Sequence, residues 1–144
     1  MNRIQKIAIY NLIVITASLT FTAGAVTIMA LWVGFPMASA GFGFFGICAL
    51  TLFAPLFFKK AKRNVEYDER DIQITKNSEL VAMNFSNGFF ILVSITALFL
   101  FGLEGTISVI TLPIMVAGAY AISGLARSVS ILIQYGWGRK GDSE

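Results

Sequence analysis

The sequence predicts an all-α protein: a four-helix transmembrane bundle made of two helical hairpins, with the third helix extended into the cytoplasm. Three observations predict this fold. Of the 144 residues, 56% are hydrophobic and only 13% are charged, whereas a soluble domain is usually about a quarter charged. Four apolar stretches each reach the roughly 20 residues that a helix needs to cross a bilayer. The links within each pair of stretches are short, which makes the joined helices antiparallel neighbours.

The four spans are predicted within a single integral membrane domain that covers residues 1–144. The first span carries no charge, and Pro36 in the link after it ends one helix and starts the next. The second span stops at Lys59. The link between the third and fourth spans is equally short and contains Gly102 and Gly105. The predicted spans are residues 7–35, 39–58, 80–101 and 107–127.

The eleven Lys and Arg residues are sorted along the chain. They precede the first span, lie between the second and third spans, or lie at or beyond the end of the fourth. The positive-inside rule places such segments in the cytoplasm. We therefore predict a multi-pass protein whose two termini and central segment, residues 59–79, are all cytoplasmic. The cations are Arg3, Lys6, Lys59, Lys60, Lys62, Arg63, Arg70, Lys76, Arg127, Arg139 and Lys140.

The first part of the central segment is a purely basic cluster beside the second span. Such a cluster can bind anionic lipid headgroups, with about 1 kcal/mol contributed per cation. The alternative is a stop-transfer anchor that only fixes the topology. The candidate headgroup contacts are Lys59, Lys60, Lys62 and Arg63.

Acidic residues dominate the second part of this segment. Asp68 can cap a helix whose first turn contains Glu69 and Asp71, because carboxylates are favoured at the N-terminal end of a helix dipole. This helix is predicted to continue from Asp68 to Phe101, about 51 Å at 1.5 Å per residue. Arg70 lies among the carboxylates and no glycine allows a calcium-loop turn, so capping is favoured over a metal site.

A short motif carries a resemblance. The run Val65-Glu66-Tyr67-Asp68-Glu69-Arg70-Asp71, followed by Ile72 and Lys76 just before a span, resembles the signature of a family of small prokaryotic integral membrane proteins. Members of that family carry a DERD or DERE motif ahead of a transmembrane helix. The resemblance implies a bacterial or archaeal protein of the inner (cytoplasmic) membrane. It implies no activity, because that family is of unknown function.

The residue content removes several kinds of chemistry. The chain has no histidine, which excludes a His general base and His ligands of haem or zinc. Cys48 is the single cysteine, which excludes an internal disulfide and a cysteine-cluster metal site. None of the predicted spans contains Asp or Glu, the usual groups of intramembrane proton relays. We expect no catalytic residue, no cofactor and no metal, and the protein is predicted not to be an enzyme.

Four polar residues at or near the spans are candidates for contacts between helices: Glu79, Asn84, Asn87 and Arg127. Asn side chains in lipid seek hydrogen bonds with neighbouring helices, although the same amides could also serve a solute. Arg127 is predicted near the inner end of the fourth span. Its side chain either snorkels to the headgroups or pairs with a carboxylate on the helix entering the third span, such as Glu79.

Three functional hypotheses follow. The favoured one is a non-catalytic interaction or accessory subunit that self-associates or joins a larger membrane complex. Small residues at close-packing distance, such as Gly124 and Ser128, favour it. The alternative is a small channel or carrier for a neutral or lipidic solute, which would need an oligomer because four spans enclose little volume. The third is a membrane transferase that uses glutathione, but the Arg and Asn arrangement of those enzymes is not recognisable here.

The expected partners follow from the favoured hypothesis. They are a bilayer with anionic headgroups and either further copies of the chain or a larger membrane protein complex. No nucleic acid partner is expected.

Overall fold

The structure, a computed structural model, describes residues 2–34, 37–58, 69–102 and 105–136. Within these residues it contains helices and no strand. The elements are α1 (Arg3–Trp32), a 3₁₀ helix (Met37–Phe53) that continues into α2 (Ala54–Phe57), α3 (Glu69–Phe101) and α4 (Thr111–Gln134).

Within the part of the chain that the structure describes, four helical segments are long and apolar enough to cross a membrane. They are α1, α3, α4 and the segment Ala38–Phe57, here called the second span. α1 packs against the second span and α3 packs against α4. The predicted fold of two helical hairpins is therefore confirmed.

α1 begins four residues before its predicted apolar run, because Asn2 caps it. The Asn2 side chain accepts hydrogen bonds from the backbone amides of Arg3, at 2.6 Å, and of Gln5, and the Gln5 side chain accepts one from the Asn2 amide at 2.9 Å. This reciprocal pair is a capping box, which satisfies backbone donors that an uncapped helix would leave free. At the other end, Gly34 takes a left-handed φ of 83°, which glycine adopts without strain.

The second span is mostly a 3₁₀ helix, which the sequence analysis did not predict. A 3₁₀ helix rises about 2.0 Å per residue, against 1.5 Å in an α-helix. The 17 residues of Met37–Phe53 therefore extend about 34 Å instead of about 26 Å. This extension allows the short second span to run beside most of the 30-residue α1.

The four segments form a row in the order second span, α1, α4 and α3. The two hairpins meet mainly through α1 and α4, whereas α3 packs on α4 alone among the described helices. Two small apolar clusters lie along the contact of α1 with its neighbours. Ala8 packs with Ile131 and Leu132, and Ile15 packs with Cys48 and Ala121.

α3 is the longest helix, with 33 residues and a length of about 50 Å. Glu69 and Asp71 lie in its first turn, as expected for carboxylates at a helix start. The proposed cap Asp68 and the basic cluster Lys59, Lys60, Lys62 and Arg63 lie outside the described residues. α4 begins at Thr111, later than the predicted start of the fourth span, so that Pro113 falls in the first turn, where its missing N–H is tolerated.

Candidate functional site

A cavity of about 610 Å³ lies between all four spans. It occupies the half of the row in which α1 begins and α4 ends, here called the N-terminal half. Binding pockets for small molecules usually measure about 300–1,000 Å³, so this cavity is large enough for a ligand. Its polar lining residues are Arg3, Asn11, Thr51, Thr75, Glu79, Tyr120, Ser123, Arg127 and Ser128.

Arg127 and Glu79 form an ion pair on the wall of this cavity. The Arg127 Nη2 atom donates a hydrogen bond to Glu79 Oε1 at 2.9 Å, and the two side chains remain 46% and 57% exposed. Arg127 lies about two turns, or roughly 12 Å, before Tyr135 at the end of α4, and Glu79 lies the same distance after Asp71 in α3. Tyr135 and Asp71 form a second contact between these two helices. The pair therefore lies within α3 and α4, and Arg127 is engaged with Glu79 in this structure.

The register of α3 against α4 brings these two side chains together. Ser78 is fully buried against α4, and its hydroxyl accepts a hydrogen bond from Gln134 Nε2 at 3.2 Å. Further along, a Cβ at Gly118 would come within 2.9 Å of the Phe89 ring. Small residues at these two levels allow the helices to approach closely, and the approach places Glu79 opposite Arg127.

A second polar contact connects α4 with the second span. Thr51 donates its hydroxyl proton to the Cys48 carbonyl at 2.7 Å, and its oxygen lies 2.7 Å from the Tyr120 hydroxyl. Since the single Thr51 proton is used on Cys48, Tyr120 is the donor to Thr51. Sequence reasoning missed this contact; the signal that could have found it is a pair of hydroxyl residues inside otherwise apolar spans.

Arg3 closes the cavity at its N-terminal end. Its Nε donates to the Phe58 carbonyl and its Nη2 to the Pro55 carbonyl at 3.4 Å. A cation at this place satisfies carbonyls that the end of a helix leaves free and suits the negative end of the helix dipole. The second span is thereby held against the start of α1.

The charge of the lining is unbalanced. Two guanidinium groups, of Arg3 and Arg127, face the cavity together with one carboxylate, of Glu79, so the formal charge is +1. Asn11 also lines the cavity, and its Oδ1 atom is buried without a hydrogen-bond donor among the described residues. The described part of the chain contains no group of three or more potential metal ligands.

The contacts between helices predicted for Asn84 and Asn87 stay a prediction, because no described helix of the chain lies against these amides. Both are exposed on α3, and neither makes a hydrogen bond within the described part of the chain. The physical reason is the order of the row: α3 has one helical neighbour, α4, and these amides lie away from it. Ser78 and Gln134, which the sequence analysis did not single out, make the contact between α3 and α4 instead.

A separate polar contact joins the start of α3 to the start of α1 and the end of α4. Asp71 accepts hydrogen bonds from the Asn2 side-chain amide at 3.1 Å and from the Tyr135 hydroxyl. Burial, followed by the hydrogen bond to Asp71 and its negative charge, raises the pKa of the Tyr135 hydroxyl above its ordinary value.

The chain matches a known protein family. A family model described as "Predicted membrane protein (DUF2178)" matches residues 6–136. This range extends from the first turn of α1 to the residues just after α4. No curated protein matches the chain, and no solved structure matches it.

Proposed function

The chain belongs to the DUF2178 family of predicted membrane proteins, and we propose that it is a non-catalytic four-span membrane protein that self-associates through α3. The observation that carries the proposal is a stripe of exposed, uncharged residues along the whole of α3, spaced alternately by four and three residues. The members of this α3 stripe are Gln73, Asn77, Leu80, Asn84, Asn87, Ile91, Ser94, Leu98 and Phe101.

The spacing of the stripe is that of a helix–helix seam. Residues that repeat every 3.5 positions on average form one continuous line when two helices coil around each other. No other described helix covers this line, because α3 packs on α4 alone. The stripe therefore offers a ready surface to another helix.

Asn84 and Asn87 favour a second copy of the chain as the occupant. An amide surrounded by lipid lacks hydrogen-bond partners, and an interhelical hydrogen bond supplies them. Each amide both donates and accepts, so the same residue on a second copy is a complementary partner. In a dimer with a two-fold axis along the membrane normal, α3 meets α3 in parallel and identical residues face one another.

Self-association is tested by measuring mass in a mild detergent over a range of protein-to-detergent ratios. We expect wild type to dimerise and the Asn84→Ala/Asn87→Ala variant to dissociate about tenfold more readily, because amide contacts in membranes contribute about 1–2 kcal/mol. Thr96→Val is the matched control, since Thr96 lies on α3 away from the stripe and its hydroxyl binds the Leu92 carbonyl of its own helix. A monomeric wild type, or equal dissociation of all three proteins, would contradict the proposal.

Cysteine cross-linking tests the geometry of the same contact. In a parallel symmetric dimer, Asn87→Cys places two thiols across the seam and should give a disulfide-linked dimer on mild oxidation. Thr96→Cys should not. Wild type supplies the background, because Cys48 is buried.

The expected topology and location are part of this proposal. The cations of the N-terminal half, Arg3, Lys6 and Arg127 among them, favour a cytoplasmic location for that half. The DERD run at residues 68–71 resembles the motif of a family of small prokaryotic membrane proteins, and this resemblance favours the inner membrane of a bacterium or archaeon. The stripe also fits an accessory role. In that role, a helix of a larger membrane complex packs on α3 in place of the second copy.

The cavity supports the alternative function, a small channel or carrier for a neutral or lipidic solute. It is lined by all four spans, and its lining includes five hydroxyl residues and one amide, that of Asn11. Uptake of labelled solutes into vesicles that contain the protein separates this function from a purely associative one.

A further inference from the structure

The cavity in the N-terminal half extends between α3 and the second span. Thr75, Glu79 and Ala82 face it from α3, and Thr51, Leu52 and Pro55 face it from the second span. Among the described residues, α3 and the second span do not pack against each other, so the described residues leave a gap between them. Both segments are long and apolar enough to span a membrane, and lipids are therefore the molecules we expect at this gap.

The chemistry of the lining matches an anionic head. Arg127 has five N–H donors, of which the contact with Glu79 uses one. Arg3 lines the same cavity nearer its N-terminal end. Guanidinium groups bind phosphate oxygens well because their donors match phosphate geometry. The lining also supplies apolar surface for acyl chains, from Ile4, Ile7 and Leu52.

We propose that the cavity binds the head of a single anionic phospholipid, whose phosphodiester contacts Arg127 and whose acyl chains leave through the gap between α3 and the second span. A phosphodiester carries one negative charge, which neutralises the formal +1 of Arg3, Arg127 and Glu79. None of the residues that line this site belongs to the basic cluster Lys59, Lys60, Lys62 and Arg63, and Arg127 and Glu79 lie within α4 and α3.

The ion pair gives this proposal a distinctive consequence. Glu79 and a lipid phosphate compete for the same guanidinium, so the carboxylate weakens lipid binding while it holds Arg127 in place. Removal of the Arg127 guanidinium alone should therefore lower the affinity for lipid, whereas removal of the Glu79 carboxylate alone should raise it. An ion pair that only connects α3 with α4 would not produce this asymmetry.

The test is lipid binding by the purified, delipidated full chain in detergent, followed by native mass spectrometry. The probes are phosphatidylglycerol, which is anionic, and phosphatidylcholine, which is zwitterionic. For wild type we expect one phosphatidylglycerol per chain, bound at least tenfold more tightly than phosphatidylcholine. Arg127→Gln should lower the phosphatidylglycerol affinity about tenfold or more, and Glu79→Gln should raise it several-fold.

Matched controls separate this site from general effects. Lys6→Gln removes a cation of the same half that does not line the cavity, and it should leave the affinity within twofold of wild type. The Glu79→Gln/Arg127→Gln variant removes the ion pair without leaving one charge unpaired; it should fold, shown by an unchanged helical circular dichroism spectrum, and lose the preference for phosphatidylglycerol. Asn84→Ala/Asn87→Ala should bind lipid as wild type does, so failure of the dimer proposal does not affect this one.

Three outcomes would overturn the inference. The first is equal binding of the two lipids by wild type. The second is a loss of affinity in both Arg127→Gln and Glu79→Gln. The third is full competition by millimolar inorganic phosphate, which would identify a site for a small free anion instead of a lipid.

Discussion

The Tyr135 hydroxyl donates a hydrogen bond to the Asp71 carboxylate, which joins the residue after α4 to the first turn of α3. Asn2 donates to the same carboxylate, so the starts of α1 and α3 and the end of α4 share one acceptor. This contact lies at the N-terminal end of the row, outside the cavity.

The raised pKa of Tyr135 predicts a pH-dependent stability. The folded state holds the Tyr135 proton more tightly than the unfolded state, so its stabilising contribution is complete below about pH 10, the ordinary pKa of tyrosine, and is lost as pH rises further. The phenolate absorbance of wild type minus that of Tyr135→Phe should show no ionisation of Tyr135 centred near pH 10. A difference titration at the ordinary pKa would contradict the hydrogen bond to Asp71.

The close approach of the second span to α1 predicts that a side chain at Gly41 destabilises the folded protein. A Cβ at Gly41 would lie 2.8 Å from the Val26 amide nitrogen, whereas a Cβ at Gly43 would meet nothing within 4 Å. Gly41→Ala should therefore lower the free energy of unfolding by about 1–3 kcal/mol, as overpacking does. Gly43→Ala, in the same 3₁₀ helix, is the control and should be neutral. Unfolding in mixed micelles measures both, and equal effects would show that the two segments do not touch at Gly41.

The Arg127–Glu79 pair predicts coupled stability effects. Exposed ion pairs contribute about 0–1 kcal/mol, and hydrogen bonds between membrane helices average about 0.6 kcal/mol. Arg127→Ala and Glu79→Ala should therefore each destabilise the protein by about 1 kcal/mol, and the double variant by little more than either alone. Lys76→Ala, on the exposed surface of α3, controls for loss of charge. Additive losses in the double variant would mean that the pair contributes nothing as a pair.

The Tyr120–Thr51 hydrogen bond predicts a specific role for one hydroxyl group. Tyr120→Phe should cost about 1 kcal/mol, the usual net value of such a bond, because Thr51 is buried and finds no replacement donor from solvent. Tyr10→Phe is the matched control: the Tyr10 hydroxyl contacts the Leu50 carbonyl at a longer distance of 3.4 Å. Thermal unfolding followed by circular dichroism compares the two, and a larger loss in Tyr10→Phe would contradict this ranking.

The fold could be predicted because its main signals are local. Apolar runs of bilayer length and the short links between them determine which segments are helical hairpins. The 3₁₀ geometry of Met37–Phe53 could not be predicted in this way. That stretch is apolar on every side, so no polar face reports how many residues make a turn.

The candidate site could be predicted only in part, because it depends on register between helices. Arg127 and Glu79 stand out in the sequence as charges beside long apolar runs, and their pairing could be proposed from chemistry alone. The hydropathy boundary at Leu80 placed Glu79 outside the third span, whereas the contacts of Ser78 with α4 place Glu79 within the packed part of α3. Tyr120 and Thr51 are far apart in the chain, and no local pattern connects them.

The order of the row, in which the hairpins meet mainly through α1 and α4, also affects biosynthesis. The two segments of each hairpin pack directly against each other. Each hairpin can therefore close soon after its own insertion into the membrane, without contacts from the other hairpin. The last step is then the docking of two finished halves along one interface, as in two-stage assembly of membrane helices. A chain divided between Lys59 and Asp68 and expressed as two pieces should therefore reassemble in the membrane.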